Sequence, residues 1–411
     1  ALASWLSRVP TVRAELDLDP RALGLVLLGL AAGSTLSLPG AGAVVSRLGT
    51  GPTVRLTGMI VVAGLVVVAL GYSTGPVTVA IGLFLVGFGS GVWDVAMNVQ
   101  GARVEVELGR SLMPRLHAGF SVGTVGGALL GAGAIAIGLS VRTHLLIIAA
   151  VVLVVVVVAA SRFRPDERVE RGSSGAGLLR AWTEPRTLLV GLFVLAMAFS
   201  EGTGNDWIAV ATIDGYGVSS AQGALVFAVF VSAMTVGRLA GTGLLDRLPR
   251  VTVLRGSGLV ALVGVVVLAF STAYPWALVG AVAWGLGTAL GFPLGMTAAA
   301  EDPVRAAARV SVVATVGYLA FLAGPPLIGF LGQETGVQRA VSVAAGLLAV
   351  AVLVAPALAP RGCRTGWPRL CGRLPRRVST TACRRAASWP RASPSSAPSS
   401  PSPPSRPDPP R

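Results

Sequence analysis

Gly241-Thr242-Gly243-Leu244-Leu245-Asp246-Arg247-Leu248 closes one long apolar run, and Ala41-Gly42-Ala43-Val44-Val45-Ser46-Arg47-Leu48 closes another. Ser46-Arg47-Leu48 pairs with Asp246-Arg247-Leu248, and Arg55 pairs with Arg255 at the same separation. Further along, Gly87-Phe88-Gly89 pairs with Gly285-Leu286-Gly287, and Gly119, Gly126 and Gly131 pair with Gly317, Gly324 and Gly329. The offset stays near 198–200 across these anchors, which marks the chain as a duplication.

What is duplicated is a set of apolar runs. Eleven lie at about 21–45, 56–72, 77–101, 117–139, 144–161, 187–211, 220–242, 254–271, 276–299, 310–331 and 338–359. A helix of about twenty apolar residues crosses the ~30 Å hydrocarbon core of a bilayer. Ser73-Thr74-Gly75-Pro76 and Gly332-Gln333-Glu334 punctuate the runs as turns. The longest internal polar segment, 162–186, mixes Arg and acids with Gly172-Ser173-Ser174-Gly175 and reads as a solvated linker. It separates a helical bundle at 1–161 from a second at 187–359. Ala1 to Leu6 is too short to span or to form a signal core, and is expected to be the end of a first helix that starts earlier.

Composition agrees. Of 411 residues, 53% are hydrophobic and only 12% charged, about half the charge of a soluble domain. The net charge of +15 does not point to nucleic acid, because eleven Arg against one acid lie after Pro360. One set of inter-span loops holds sixteen Arg and the alternate set five (Arg8, Arg13, Arg21, Arg142 and Arg339), which places the Arg-rich set in the cytoplasm. The segment 360–411, rich in Pro, Ser and Arg, holds all three cysteines, Cys363, Cys371 and Cys383, in no zinc-like spacing. It is expected to be a disordered basic tail, of the composition that a shifted high-GC reading frame gives, and no function is assigned to it.

Two parallel six-helix halves resemble the major facilitator architecture. Gly-x-x-x-Asp-Arg after the second helix of each half is that family's loop signature; the second half keeps Gly241, Gly243, Asp246 and Arg247, while the first keeps Gly42 and Arg47 with Ser46 in the acid's place. Gly324-Pro325-Pro326-Leu327-Ile328-Gly329 resembles the family's eleventh helix. Gly91-Val92-Trp93-Asp94-Val95-Ala96-Met97-Asn98-Val99-Gln100-Gly101, with His117-Ala118-Gly119-Phe120, resembles the branch of fucose-permease-like and uncharacterised bacterial carriers. The resemblance implies an all-α integral membrane protein of the major facilitator fold, two pseudo-symmetric six-helix bundles with the first helix incomplete. It further implies a monomer of the bacterial inner membrane, and a cytoplasmic latch formed by Arg47, Asp246 and Arg247.

Acids inside spans are costly, at least ~2.5–3.5 kcal/mol each on insertion scales unless paired or wet. Asp94 and Asn98 share a helix face at i,i+4, and Glu201 and Asn205 repeat that spacing. With Asp206, these residues are expected to line a wet central cavity, Asp206 at its outer rim. Trp93 and Trp207 stand beside acids, where they either wall the cavity or anchor at the membrane interface. Arg238 reads as a snorkelling helix-end residue, His117 as a helix-end group or proton relay, and His144 as a helix-start residue. The glycines inside spans read as close-packing positions rather than a dinucleotide loop.

The chain is thus expected to be a secondary transporter of a small solute, with a sugar-like substrate and proton coupling favoured; an exporter of drugs or metabolites, or a sensor on a transporter scaffold, is the alternative. It is not expected to be an enzyme: no H-E-x-x-H, G-x-S-x-G or P-loop occurs. No cofactor or metal is expected. The partners are the substrate, protons and membrane lipid, with no nucleic acid.

Overall fold

The structure, a computed structural model, describes residues 1–108, 113–163, 180–302 and 305–360. The core of the 162–186 linker, the tail beyond Pro360 and the side chain of His117 lie outside the described residues.

Each apolar run becomes a helix. In the first half these are α1 (Leu2–Leu6), α2 (Val9–Glu15), α3 (Pro20–Leu48), α4 (Thr50–Gly71), α5 (Pro76–Leu108), α6 (Met113–Ala136) and α7 (Val141–Ala160). In the second they are α8 (Pro185–Tyr216), α9 (Ser220–Arg247), α10 (Arg250–Phe270), α11 (Tyr274–Thr288), α12 (Gly291–Ala299), α13 (Ala306–Thr335), α14 (Val337–Ala340) and α15 (Val343–Val354). Eleven stretches of the described residues are long and apolar enough to cross a membrane, and they coincide with the eleven runs read from sequence.

Local chemistry sets the ends. The Asp19 carboxylate accepts from the Ala22 N–H at 2.7 Å, with Pro20 opening α3. Ser219 and Gln222 form a reciprocal capping box at the start of α9. Gly49, at φ 86, turns α3 directly into α4, so the polar loop read between residues 45 and 56 is helix on both sides. The expected span 276–299 is broken: α11 stops at Thr288, and α12 restarts at Gly291 with Pro293 in its first turn. Before α3, the short helices α1 and α2 are separated by a break at Ser7-Arg8.

In the first half α5 packs on α3 and α4, and α7 on α4; in the second, α8 packs on α13 and α15, while α11 packs on α9 and α10. The halves meet through α3 against α13 and α6 against α9. The α3–α13 crossing is tight because both partners lack side chains: a Cβ on Gly24 would lie 2.6 Å from the Pro325 carbonyl oxygen, and one on Gly329 2.6 Å from that of Pro20. Arg21 lies over the Phe330 ring at 4.6 Å, and Arg13 pairs with Asp214 at 2.5 Å. All these contacts belong to the Arg-poor end. Toward the Arg-rich end, Cβ positions on Gly40, Gly42, Gly119 and Gly123 meet no atom within 4 Å. Among the described residues, the α3–α13 contacts thus hold the halves together at the Arg-poor end.

Candidate functional site

Midway along α8, Glu201 accepts from the guanidinium of Arg238 on α9 at 2.8 Å. Three contacts fix this register. Trp284 of α11 donates its indole N–H to the Ser200 hydroxyl at 2.8 Å, one residue before Glu201. The Trp284 ring meets Phe230 of α9 edge-on at 5.5 Å. Gly204 gives Phe230 room, since a Cβ there would lie 2.4 Å from the ring. Three helices are thus locked by aromatic packing, and the ion pair sits on that frame. Its side chains remain 28% (Arg238) and 16% (Glu201) exposed, so the pair borders open space rather than dry protein.

Arg238 is also the neighbour of the broken span. Its Nε reaches the Ala289 carbonyl at 3.4 Å, where α11 has ended and its carbonyls lack helical partners. The C-terminal end of a helix attracts a cation. Arg238 lies nine residues before the end of α9, about 14 Å at the helical rise, too deep for simple snorkelling. Sequence reading missed its role because Glu201 is 37 positions away and no spacing rule joins them.

The other expected site residues lie on α5 and α8. Asp94 lies exposed on α5, within electrostatic reach of Tyr318 on α13, so it addresses the opposite half. Asn98 donates its amide to the Asp94 backbone carbonyl at 2.9 Å, on the same α5 face. Asn205 is half-buried on α8. Asp206 is half-buried, ten residues or about 15 Å before the C-terminal end of α8. Asp214, nearer that end, is held by Arg13. By helical spacing Asp206 shares a face with Phe199 and Gly202, which adjoin Gly324 and Phe321 of α13.

Trp207 is wholly buried in the second-half core and serves neither as cavity wall nor as interface anchor. Trp93 packs against Val61, Leu65 and Val86 on one side and Val45, Val54 and Ala160 on the other, inside the first half. His144 is more than a helix-start residue: its Nδ1 accepts from the Nε of Arg8 at 2.9 Å, and both side chains are buried. Arg8, read as a loop residue, also donates to the Leu139 carbonyl at 2.7 Å.

The expected latch is not made among the described residues. Arg47, Asp246 and Arg247 are exposed, and none has an ion pair among the described residues. The ion pairs at the Arg-rich end gather within the second half instead. Glu184 takes Arg309 at 2.6 Å and Arg305 at 3.0 Å; Glu301 takes Arg186 at 2.9 Å and Arg250. Hydrogen bonds from Arg309, then from Thr187 and Arg305, outweigh burial and hold the Glu184 carboxyl down at about 2. Burial alone would raise Glu301, but hydrogen bonds from Arg186 and Arg250 lower it overall. Arg186 also caps the carbonyls of Ala357 and Ala359, tying the start of α8 to the end of the second half.

The family model of the Major Facilitator Superfamily matches residues 4–318 and 207–365. The chain belongs to this superfamily. An uncharacterized MFS-type transporter of Yersinia pestis is 33% identical over 361 residues, covering 87% of this chain and 91% of its own. Among solved structures, the nucleoside transporter NupG superposes with a TM-score of 0.71 at 15% identity, covering 87% of this chain and 95% of NupG. The Escherichia coli fucose:proton symporter FucP gives 0.56 at 15% identity, covering 88% and 98%. The protein is a multi-pass membrane transporter, and its ion pair between α8 and α9 lies within the second bundle of the superfamily fold.

Proposed function

We propose that this transporter moves a small polyhydroxylated solute together with protons across the bacterial inner membrane, and that Glu201 and Arg238 couple the two. The observation that carries this reading is an ion pair inside spans, 2.8 Å long and partly exposed, beside the unwound end of α11. A carboxylate paired with Arg has two states. Ionised, it holds Arg238; protonated, it releases the guanidinium toward the Ala289 carbonyl or toward a substrate oxygen. Proton occupancy and substrate contact thereby compete for one side chain, which is what coupling requires.

Asp94 and Asn98 supply the first half's share, since Asp94 on α5 lies within electrostatic reach of Tyr318 on α13. Asn205 and Asp206 extend the polar face of α8. With the Arg-rich end assigned to the cytoplasm, contact at the Arg-poor end supports reading this state as inward-facing. The substrate class rests on the neighbours: a nucleoside and fucose share a hydroxyl-bearing sugar ring, and the α8–α13 region offers carboxylates and amides with the Tyr318–Phe321 ring pair at 6.3 Å.

Proteoliposomes containing the full chain test this. Uptake of labelled fucose and uridine is driven by a pH gradient in wild type. In Glu201→Gln the gradient-driven component falls at least tenfold, while exchange of preloaded solute persists. Unchanged gradient-driven uptake removes the coupling role of Glu201.

A further inference from the structure

At the Arg-rich end a crevice of about 740 Å³ lies between α9 and α10, with α11 and Leu290 as its floor. Gly241, Gly256 and Gly287 line it without bulk, and Leu244, Leu248 and Val260 stand exposed along its mouth. Exposed leucine and valine on a membrane-spanning helix face acyl chains, not water. Arg247 lines the crevice at its Arg-rich end, with the hydroxyl residues Thr252 and Ser257 on the facing helix. Its guanidinium has no ion pair among the described residues, and Asp246 is not among the lining residues. On α9 the crevice runs from Gly237 to Leu248, about 16 Å at 1.5 Å per residue. That is close to half of the ~30 Å hydrocarbon core, the depth of one leaflet.

We propose that this crevice binds an anionic glycerophospholipid of the Arg-rich leaflet, its phosphate on Arg247 and one acyl chain lying over the glycine floor. A cation at the headgroup depth above an apolar slot one leaflet long matches the charge and the length of such a lipid. A smaller crevice of about 330 Å³ shares Leu286 and is lined also by Leu129 of α6. The crevice therefore adjoins the seam between the halves.

The test is native mass spectrometry of the full chain in detergent, titrated with phosphatidylglycerol or with phosphatidylcholine of the same acyl chains. Wild type retains phosphatidylglycerol roughly fivefold better, as one basic residue worth about 1 kcal/mol gives. Arg247→Gln removes that preference. Gly256→Leu, whose side chain enters open space, lowers retention of both lipids. Should that variant fail to fold by circular dichroism and elution profile, Gly243→Leu enters equally open space and carries the same test. Equal retention of the two lipids by wild type, a preference that survives Arg247→Gln, or undiminished retention in the folded leucine variant overturns the proposal.

Discussion

Arg238 stands between two acceptors of unequal strength, the Glu201 carboxylate at 2.8 Å and the Ala289 carbonyl at 3.4 Å. A charge-assisted bond outweighs a neutral one about twofold, so Glu201 dominates while ionised. Removing either partner strands the other charge within a span; removing both removes the conflict. Thermal unfolding in detergent is expected to show both Glu201→Gln and Arg238→Gln below wild type. The double variant recovers part of the loss, with a coupling of about 1–3 kcal/mol. Additive losses would mean that the pair is not energetically real. The same logic explains what sequence reading lost at this scale. Asp94 and Glu201 were legible as acids because an acid in an apolar run stands out. Arg238 and Arg8 were not, because an Arg near a run's edge looks like a loop residue until its partner, Glu201 or His144, is brought in by tertiary packing. Trp207 misled for the opposite reason: adjacency to Asp206 in sequence puts the two side chains about 100° apart on a helix.

Helices were the most legible level. Apolar length alone located every span, and the turn signal at Gly75-Pro76 fell at a helix start, whereas Gly332-Gln333-Glu334, read as a turn, is the last turn of α13, which ends at Thr335 before Gly336 at φ 82. Two features escaped that reading. Gly49 joins α3 to α4 through one positive-φ residue, so Arg55 sits on a helix rather than in a loop. The break between α11 and α12 hides inside an unbroken apolar run, since hydropathy cannot see a lost hydrogen bond. Elements are also where acid stability belongs. Glu184 joins the start of α8 to α13 through Arg309 and Arg305. Its carboxyl is depressed from 4.5 to about 2, so the stabilisation it contributes is complete above about pH 4.5 and is lost as pH falls toward 2. Glu301, also lowered, acts in the same direction. Glu184→Gln is expected to lower the unfolding midpoint at pH 7 and to flatten its fall between pH 4.5 and 2. A variant as acid-sensitive as wild type would show that Glu184 is not the titrating group.

At the scale of the molecule, duplication gives two bundles that must meet somewhere, and glycine decides where. Gly24 and Gly329 let α3 and α13 touch at the Arg-poor end, and Arg13–Asp214 adds a charge clasp there. The repeat was legible as a constant offset. Where the halves touch was not, because it depends on contacts between residues some 200–300 positions apart. At the Arg-rich end, Arg47, Asp246 and Arg247 make no ion pair among the described residues.

Alternating access is therefore the central claim, and paired spin labels measure it directly. With Cys363, Cys371 and Cys383 replaced by Ser, one pair of labels goes on Arg47→Cys and Asp246→Cys at the Arg-rich end. A second goes on Ala14→Cys and Glu334→Cys at the Arg-poor end. In proteoliposomes, adding a transported solute is expected to shorten the first distance and lengthen the second. Two distances that stay fixed, or that move in the same sense, would contradict the account.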